Sequence, residues 1–149
     1  MSLARLLSDQ HQRLEELTVL LSREQTLLTQ GDIDGEALAS LAMNKQALLA
    51  DIERIETLRH SVQKRLGYEE SADGARAAAR DGNCQDTWET LLEKTERVAR
   101  MNELTGQMLS LRMKHNQEML DYIRQIAEKT LYKPDGRTRA QSGRINASA

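Results

Sequence analysis

The sequence predicts an all-α fold: an elongated antiparallel bundle of three long helices, four if the third is broken near Gly106, followed by an irregular C-terminal tail. Three observations carry this reading. Apolar residues recur at alternating spacings of three and four over long segments, which keeps one seam on one side of a helix. The apolar material is chiefly Leu, Ala, Ile and Met, with no Phe and only 3% aromatics, which argues against a sandwich or barrel. The single proline, Pro134, stands where the last periodic segment stops. At 149 residues the chain is long enough for one domain with its own core.

The first helix spans 3–28. Its heptad falls at 3, 7, 10, 14, 17, 21, 24 and 28, where six of eight residues are Leu and only Gln10 and Glu24 interrupt. Gly31 is expected to end it as a C′ glycine. After "GDIDG", with Asp32 or Asp34 as N-cap, a second helix runs from about 34 to 66 before Gly67, roughly 50 Å at the α-helical rise. Seven of its nine seam positions are apolar; Lys45 and Arg59 occupy the other two, with partial exposure expected as their stems lie along apolar surface.

Residues 67–83, "GYEESADGARAAARDGN", read as a mobile connector: the short Ala/Arg run has room for one helical turn or two but lacks apolar residues to anchor it. The third helix is expected from Asp86, with Glu89 completing a capping box, to Leu131. Its apolar row is Trp88, Leu91, Val98, Met101, Leu104, Met108, Leu111, Met119, Tyr122 and Ile126, with Leu109, Met113, Leu120 and Ile123 beside it. The face widens after residue 100, either to cover a wider core or to leave Met-rich surface for another protein. Asn102 and Asn116 lie on this helix as register or recognition groups, or as plain exposed asparagines. From Tyr132 onward the pattern is lost. The tail 132–149 carries Lys133, Arg137, Arg139 and Arg144 against Asp135, and is too poor in apolar side chains to fold alone. The domain reading is therefore a helical bundle over 1–131, containing the 67–83 connector, and a flexible basic tail.

Several functions are disfavoured. A net charge of −2 and a pI near 6.0 lack the basic footprint of a nucleic-acid binder. No apolar run reaches the roughly 18 residues of a membrane helix, so no membrane insertion is expected. Cys84 is alone and the start "MSLARLLSDQ" lacks a signal-peptide pattern, so the expected location is the cytoplasm. His11, His60 and His115 have no second ligand at metal spacing, and "HNQE" reverses the Glu-x-x-His order of di-iron bundles, so no metal site is expected. No nucleophile elbow or phosphate-binding glycine loop is present, Cys84 reads as a bystander thiol, and neither enzyme chemistry nor a cofactor is expected.

Three stretches in order, "GDIDGEALASLAMNKQALLADIE", "WETLLEKTERVARMNELTGQMLSLRMKHNQEML" and "TLYKPDGRT", resemble the FlgN family of flagellar export chaperones over nearly the whole chain. Asn102, Gly106, Asn116, Gln117, Tyr132, Asp135 and Gly136 match the family pattern. Met101, Thr105, Lys133 and Pro134 depart from it. The resemblance implies a chaperone of the flagellar type III export system that binds the C-terminal helical region of the hook-filament junction proteins FlgK and FlgL. It implies that the chaperone's C-terminal half holds this cargo, and that the tyrosine of the L-Y-x-x-D-G motif contacts the export gate protein FlhA. The cargo-binding residues expected on this reading are Asn102, Met108, Leu109, Met113, Asn116, Met119, Leu120 and Ile123; those expected at the gate are Tyr132, Asp135 and Gly136. Self-association without cargo stays open. A structural coiled-coil protein that oligomerises through its heptad seams is the alternative reading.

Overall fold

Short polar signals set the helix ends. The computed structural model describes residues 2–131. Ser2 opens α1 (Leu3–Leu28): its hydroxyl accepts the Arg5 N–H at 3.2 Å, one of the amides that a helix start leaves unpaired. Every predicted heptad position of α1 is buried, Gln10 and Glu24 included, and Leu6 joins them. The stop is a Thr29 cap whose N–H returns to the Gln25 carbonyl at 3.2 Å. Gly31, expected to make that stop, lies past it and has no positive φ.

In α2 (Gly35–Arg65) the cap is Asp34, whose Oδ1 accepts the Ala37 N–H at 3.0 Å. At its far end Gly67 takes φ 89°, and two returning bonds close a Schellman motif: Gly67 N–H to the Lys64 carbonyl at 3.0 Å and Tyr68 N–H to the Gln63 carbonyl at 3.2 Å.

The connector reading of 67–83 is corrected here. Residues Ala72–Asp81 form a helix, α3, capped by the Ser71 hydroxyl, which accepts the Gly74 N–H at 3.0 Å. Its anchor is a row of methyl groups rather than large side chains. Ala75, Ala78 and Ala79 share one face at helical spacing and are buried in the core cluster with Leu3, Leu7, Cys84 and Trp88. Close approach also fixes Gly74, because a Cβ there would meet the Glu69 carbonyl oxygen at 2.0 Å. α3 ends through Asn83 at φ 60°, with Cys84 N–H returning to the Ala79 carbonyl at 2.8 Å.

α4 (Gln85–Leu131) begins one residue before the expected Asp86, which sits instead in the first turn, where a carboxylate complements the helix dipole. The helix runs through Gly106 without a break, so the fourth helix of the fold is α3 and not a divided α4. The structure separates into two units, Met1–Gln107 and Met108–Ala149, described in turn.

In the first unit, α1 and α2 run antiparallel, as their cross-pairs show: Gln10 with Glu56, Arg13 with Asp51, Glu24 with Lys45. α4 returns antiparallel to α2 and parallel to α1. Arg59 lies over Trp88, Lys45 meets Asn102, Glu15 pairs with Lys94, and Gln25 with Thr105. Leu7, Leu14, Leu17 and Leu21 of α1 meet Trp88, Leu91 and Val98 of α4, and Leu48, Ile52 and Val62 of α2 pack against the same cluster. Trimming any of the fully buried leucines to Ala costs about 2–5 kcal/mol.

The polar residues in the seams find partners on other helices, which fixes the register. Gln10 Nε2 donates to Glu56 at 2.6 Å. Lys45 Nζ, half-buried as expected, donates to Glu24 at 3.0 Å and to Asn102 at 3.4 Å. Arg59 differs from expectation: it is only 5% exposed. Its guanidinium donates to Glu56 at 2.5 and 3.0 Å and to Gln63 at 2.8 Å, and lies 4.9 Å from the Trp88 ring centroid. A flat guanidinium can stack on an aromatic face and still use its fork of donors, so burial is tolerated at that seam position.

Candidate functional site

Residues 108–131 of α4 form the helical part of the second unit, and there most of the apolar side chains are exposed. Leu111 is 67% exposed, Met113 63%, Tyr122 60% and Ile123 55%; Leu109, Met119, Leu120 and Ile126 are also exposed, while Met108 is half-buried. Leucines at the corresponding seam positions of α1 are buried. A helix of this kind alone in water is marginal, because most helical stability comes from packing an amphipathic face.

The expected cargo-binding residues divide between the two units. Asn102 belongs to the first, where it is exposed and accepts a hydrogen bond from Lys45. The other seven lie in the second. At about 100° per residue, Met108, Leu109, Met113, Asn116, Met119, Leu120 and Ile123 fall within roughly 140° of the helix circumference. Sequence reasoning left Leu111, Tyr122 and Ile126 out of the set although they stood in its apolar row; Ile126 falls in line with Met108, and Leu111 and Tyr122 extend the face to roughly 200°. A count of the angle alone would have found them. The polar residues Ser110, Lys114, Gln117, Glu118, Asp121 and Gln125 take the opposite side, where Gln117 donates to Asp121 at 3.1 Å. Tyr132, Asp135 and Gly136, expected at the export gate, lie outside the described residues.

Elsewhere the chemistry is structural. Among the described residues no group of three His, Cys, Asp or Glu side chains could hold a metal ion. Cys84 is not in a mobile segment but in the core, and burial pushes its thiol above the ordinary value, away from thiolate character at neutral pH. Burial alone would raise the Glu56 carboxyl, but hydrogen bonds from Arg59 and Gln10 outweigh it and hold that group below the usual range. An open groove between α1 and α2 is lined in part by Val19, Leu20 and Leu48. Arg13 and Asp51 pair across it at 2.6 Å, and that guanidinium holds the Asp51 carboxyl low. No described helix is long and apolar enough to cross a membrane.

Fold and face together define an all-α helical-bundle protein whose longest helix leaves a broad apolar face exposed over residues 108–126. The model of the family described as FlgN protein matches residues 1–140. The flagella synthesis protein FlgN of Salmonella typhimurium strain LT2 is 30% identical over 125 residues, covering 84% of this chain and 81% of that one. Its counterpart in Escherichia coli K12 is 28% identical over 136 residues, covering 91% and 89%, and that of Yersinia enterocolitica 26% identical, covering 91% and 88%. No solved structure matches the chain. The chain belongs to the FlgN family, whose relatives are named as flagella synthesis proteins.

Proposed function

We propose that this protein is a cytoplasmic flagellar export chaperone. It binds the C-terminal helical region of the hook-filament junction proteins FlgK and FlgL, keeps them from assembling early, and presents them to the export gate protein FlhA. The observation that carries the reading is the run of exposed apolar side chains over residues 108–126, at helical spacing and rich in Met, whose flexible thioether adapts to a partner's surface. A junction subunit that exposes an apolar helix before assembly supplies the complementary surface, and each square ångström so buried contributes about 25 cal/mol. The protein does no covalent chemistry in this role. Tyr132, Asp135 and Gly136 serve the gate, as the resemblance to the family implies.

The coiled-coil alternative loses support from the same packing. The seam of α1 on which it rests is buried within the chain, with Leu48, Ile52 and Val62 of the α2 seam packed against the same cluster, so the Leu heptad offers no free stripe to another copy. Isothermal titration calorimetry of the full chain with FlgK and with FlgL tests the proposal. A saturable one-to-one complex with at least one of them is expected; no heat of binding with either overturns it.

A further inference from the structure

Residues 68–81 close on themselves. The Ser71 hydroxyl caps α3, and the Gly74 backbone lies too close to the Glu69 carbonyl for any Cβ. The Tyr68 hydroxyl donates to Asp81 at 2.5 Å, tying the first residue of the segment to the last. The chain enters and leaves through backbone in the left-handed region, Gly67 at φ 89° before the segment and Asn83 at φ 60°, next to Gly82, after it. A few such element-terminal residues can absorb the rotation of a segment that is cross-tied within itself.

The ties to the rest of the bundle are weaker, among the described residues. Ala75, Ala78 and Ala79 each bury a single methyl, where a seam leucine buries a whole isobutyl group, and the Tyr68 ring is half-buried. The Arg76–Glu89 pair, at 3.8 Å and half-exposed on both sides, contributes little. The best-placed tie is Gln63, 1% exposed: its Nε2 donates to the Glu69 and Ser71 carbonyls, and its Oε1 accepts from Arg59 of the bundle at 2.8 Å. Beneath the segment lie Leu3, Leu7, Trp88 and Cys84, all buried. Gly82 covers the thiol, since a Cβ there would stand 3.5 Å from the Cys84 Sγ.

We infer that residues 68–81 form a hinged lid over the end of the helical core, latched by Gln63, and that this lid opens as one unit without global unfolding. Segments held by few large apolar contacts open at lower free energy than the core they cover. Opening uncovers Leu3, Leu7 and Trp88 and frees the Cys84 thiol. Cys84 stays with α4, because its carbonyl accepts the Trp88 N–H at 3.1 Å.

Cys84 is the only cysteine, so its labelling by dithionitrobenzoate in the full chain reads the opening without ambiguity. The labelling rate at increasing urea, divided by the rate for the unfolded chain, gives an opening constant to set beside global unfolding followed at Trp88. In water the opening constant should exceed the global unfolding constant at least about tenfold, and its urea slope should be less than about half the global one, because less surface is exposed. Leu21, about 21 Å along α1 from Leu7, is fully buried and remote from the lid. Leu21→Ala should lower the global midpoint and leave native labelling within about twofold of wild type. Gln63→Ala should speed native labelling about tenfold. Labelling that follows the global constant and slope in the wild type, or that rises with Leu21→Ala in proportion to its loss of global stability, overturns the lid. Unchanged labelling in Gln63→Ala overturns the latch. The wild-type comparison decides the matter even if either variant fails to fold.

Discussion

Arg59→Ala is the most informative perturbation of the bundle. The guanidinium is 5% exposed and holds together Glu56, Gln63 and Trp88. Gln63 is 1% exposed, so losing its donor strands a buried carbonyl oxygen, at about 1–3 kcal/mol. The stacking on Trp88 contributes about 1–2 kcal/mol at so buried a site. The Glu56 pair is worth less than a fully buried one, because that side chain is 40% exposed and water can replace the lost partner. The expected destabilisation is about 3 kcal/mol, which lowers the urea midpoint by roughly 1–2 M at a slope typical of a small domain. Trp88 is the only tryptophan and lies against the guanidinium, so its fluorescence reports the transition directly. The pH dependence supplies a second readout. Glu56 is held below its ordinary value of 4.5, so its contribution is fully present above pH 4.5 and is lost as the pH falls through the folded-state value. The gap between wild type and Arg59→Ala should therefore narrow below pH 4.5. A loss of under about 1 kcal/mol at neutral pH would refute the view that this cluster is a packed part of the core.

Two glycines give opposite expectations. Gly74→Ala drives a methyl group into the Glu69 carbonyl and should destabilise by about 2 kcal/mol, with faster amide exchange over 72–81. Gly106→Ala meets nothing within 4 Å in mid-helix and should stabilise α4 by up to about 1 kcal/mol by helix propensity, read as a small rise in helicity or midpoint. Tyr132→Ala should weaken binding to FlhA while changing cargo affinity less than about twofold, below the reach of a single interface contact; equal loss of both, measured by calorimetry, would refute separate cargo and gate segments.

The α1 seam was legible because a Leu heptad has one way to be satisfied, and each of its positions is buried, even Gln10 and Glu24. α3 was not legible because its Ala/Arg run shows none of the Leu or Ile residues that mark a buried helix face, whereas Ala75, Ala78 and Ala79 work by letting the backbone come close. Arg59 was misjudged for a related reason: a seam arginine is read as snorkelling unless a stacking ring is known to lie opposite, and Trp88 is 29 residues away in sequence. The exposed face was visible as a widening of the α4 pattern, but periodicity cannot distinguish a wide core from an open surface. What separates the two is side-chain exposure, 67% at Leu111 and 63% at Met113.

The central claim is that residues 108–126 hold cargo and contribute little to the folding of the first unit. The direct measurement is calorimetry of Met113→Glu/Leu120→Glu with the junction subunit that binds the wild type, alongside urea unfolding followed at Trp88. Both side chains are exposed, so the unfolding midpoint should be unchanged within about 0.5 kcal/mol. Cargo affinity should fall at least about tenfold, some 1.4 kcal/mol. Wild-type affinity in the double variant would contradict the account.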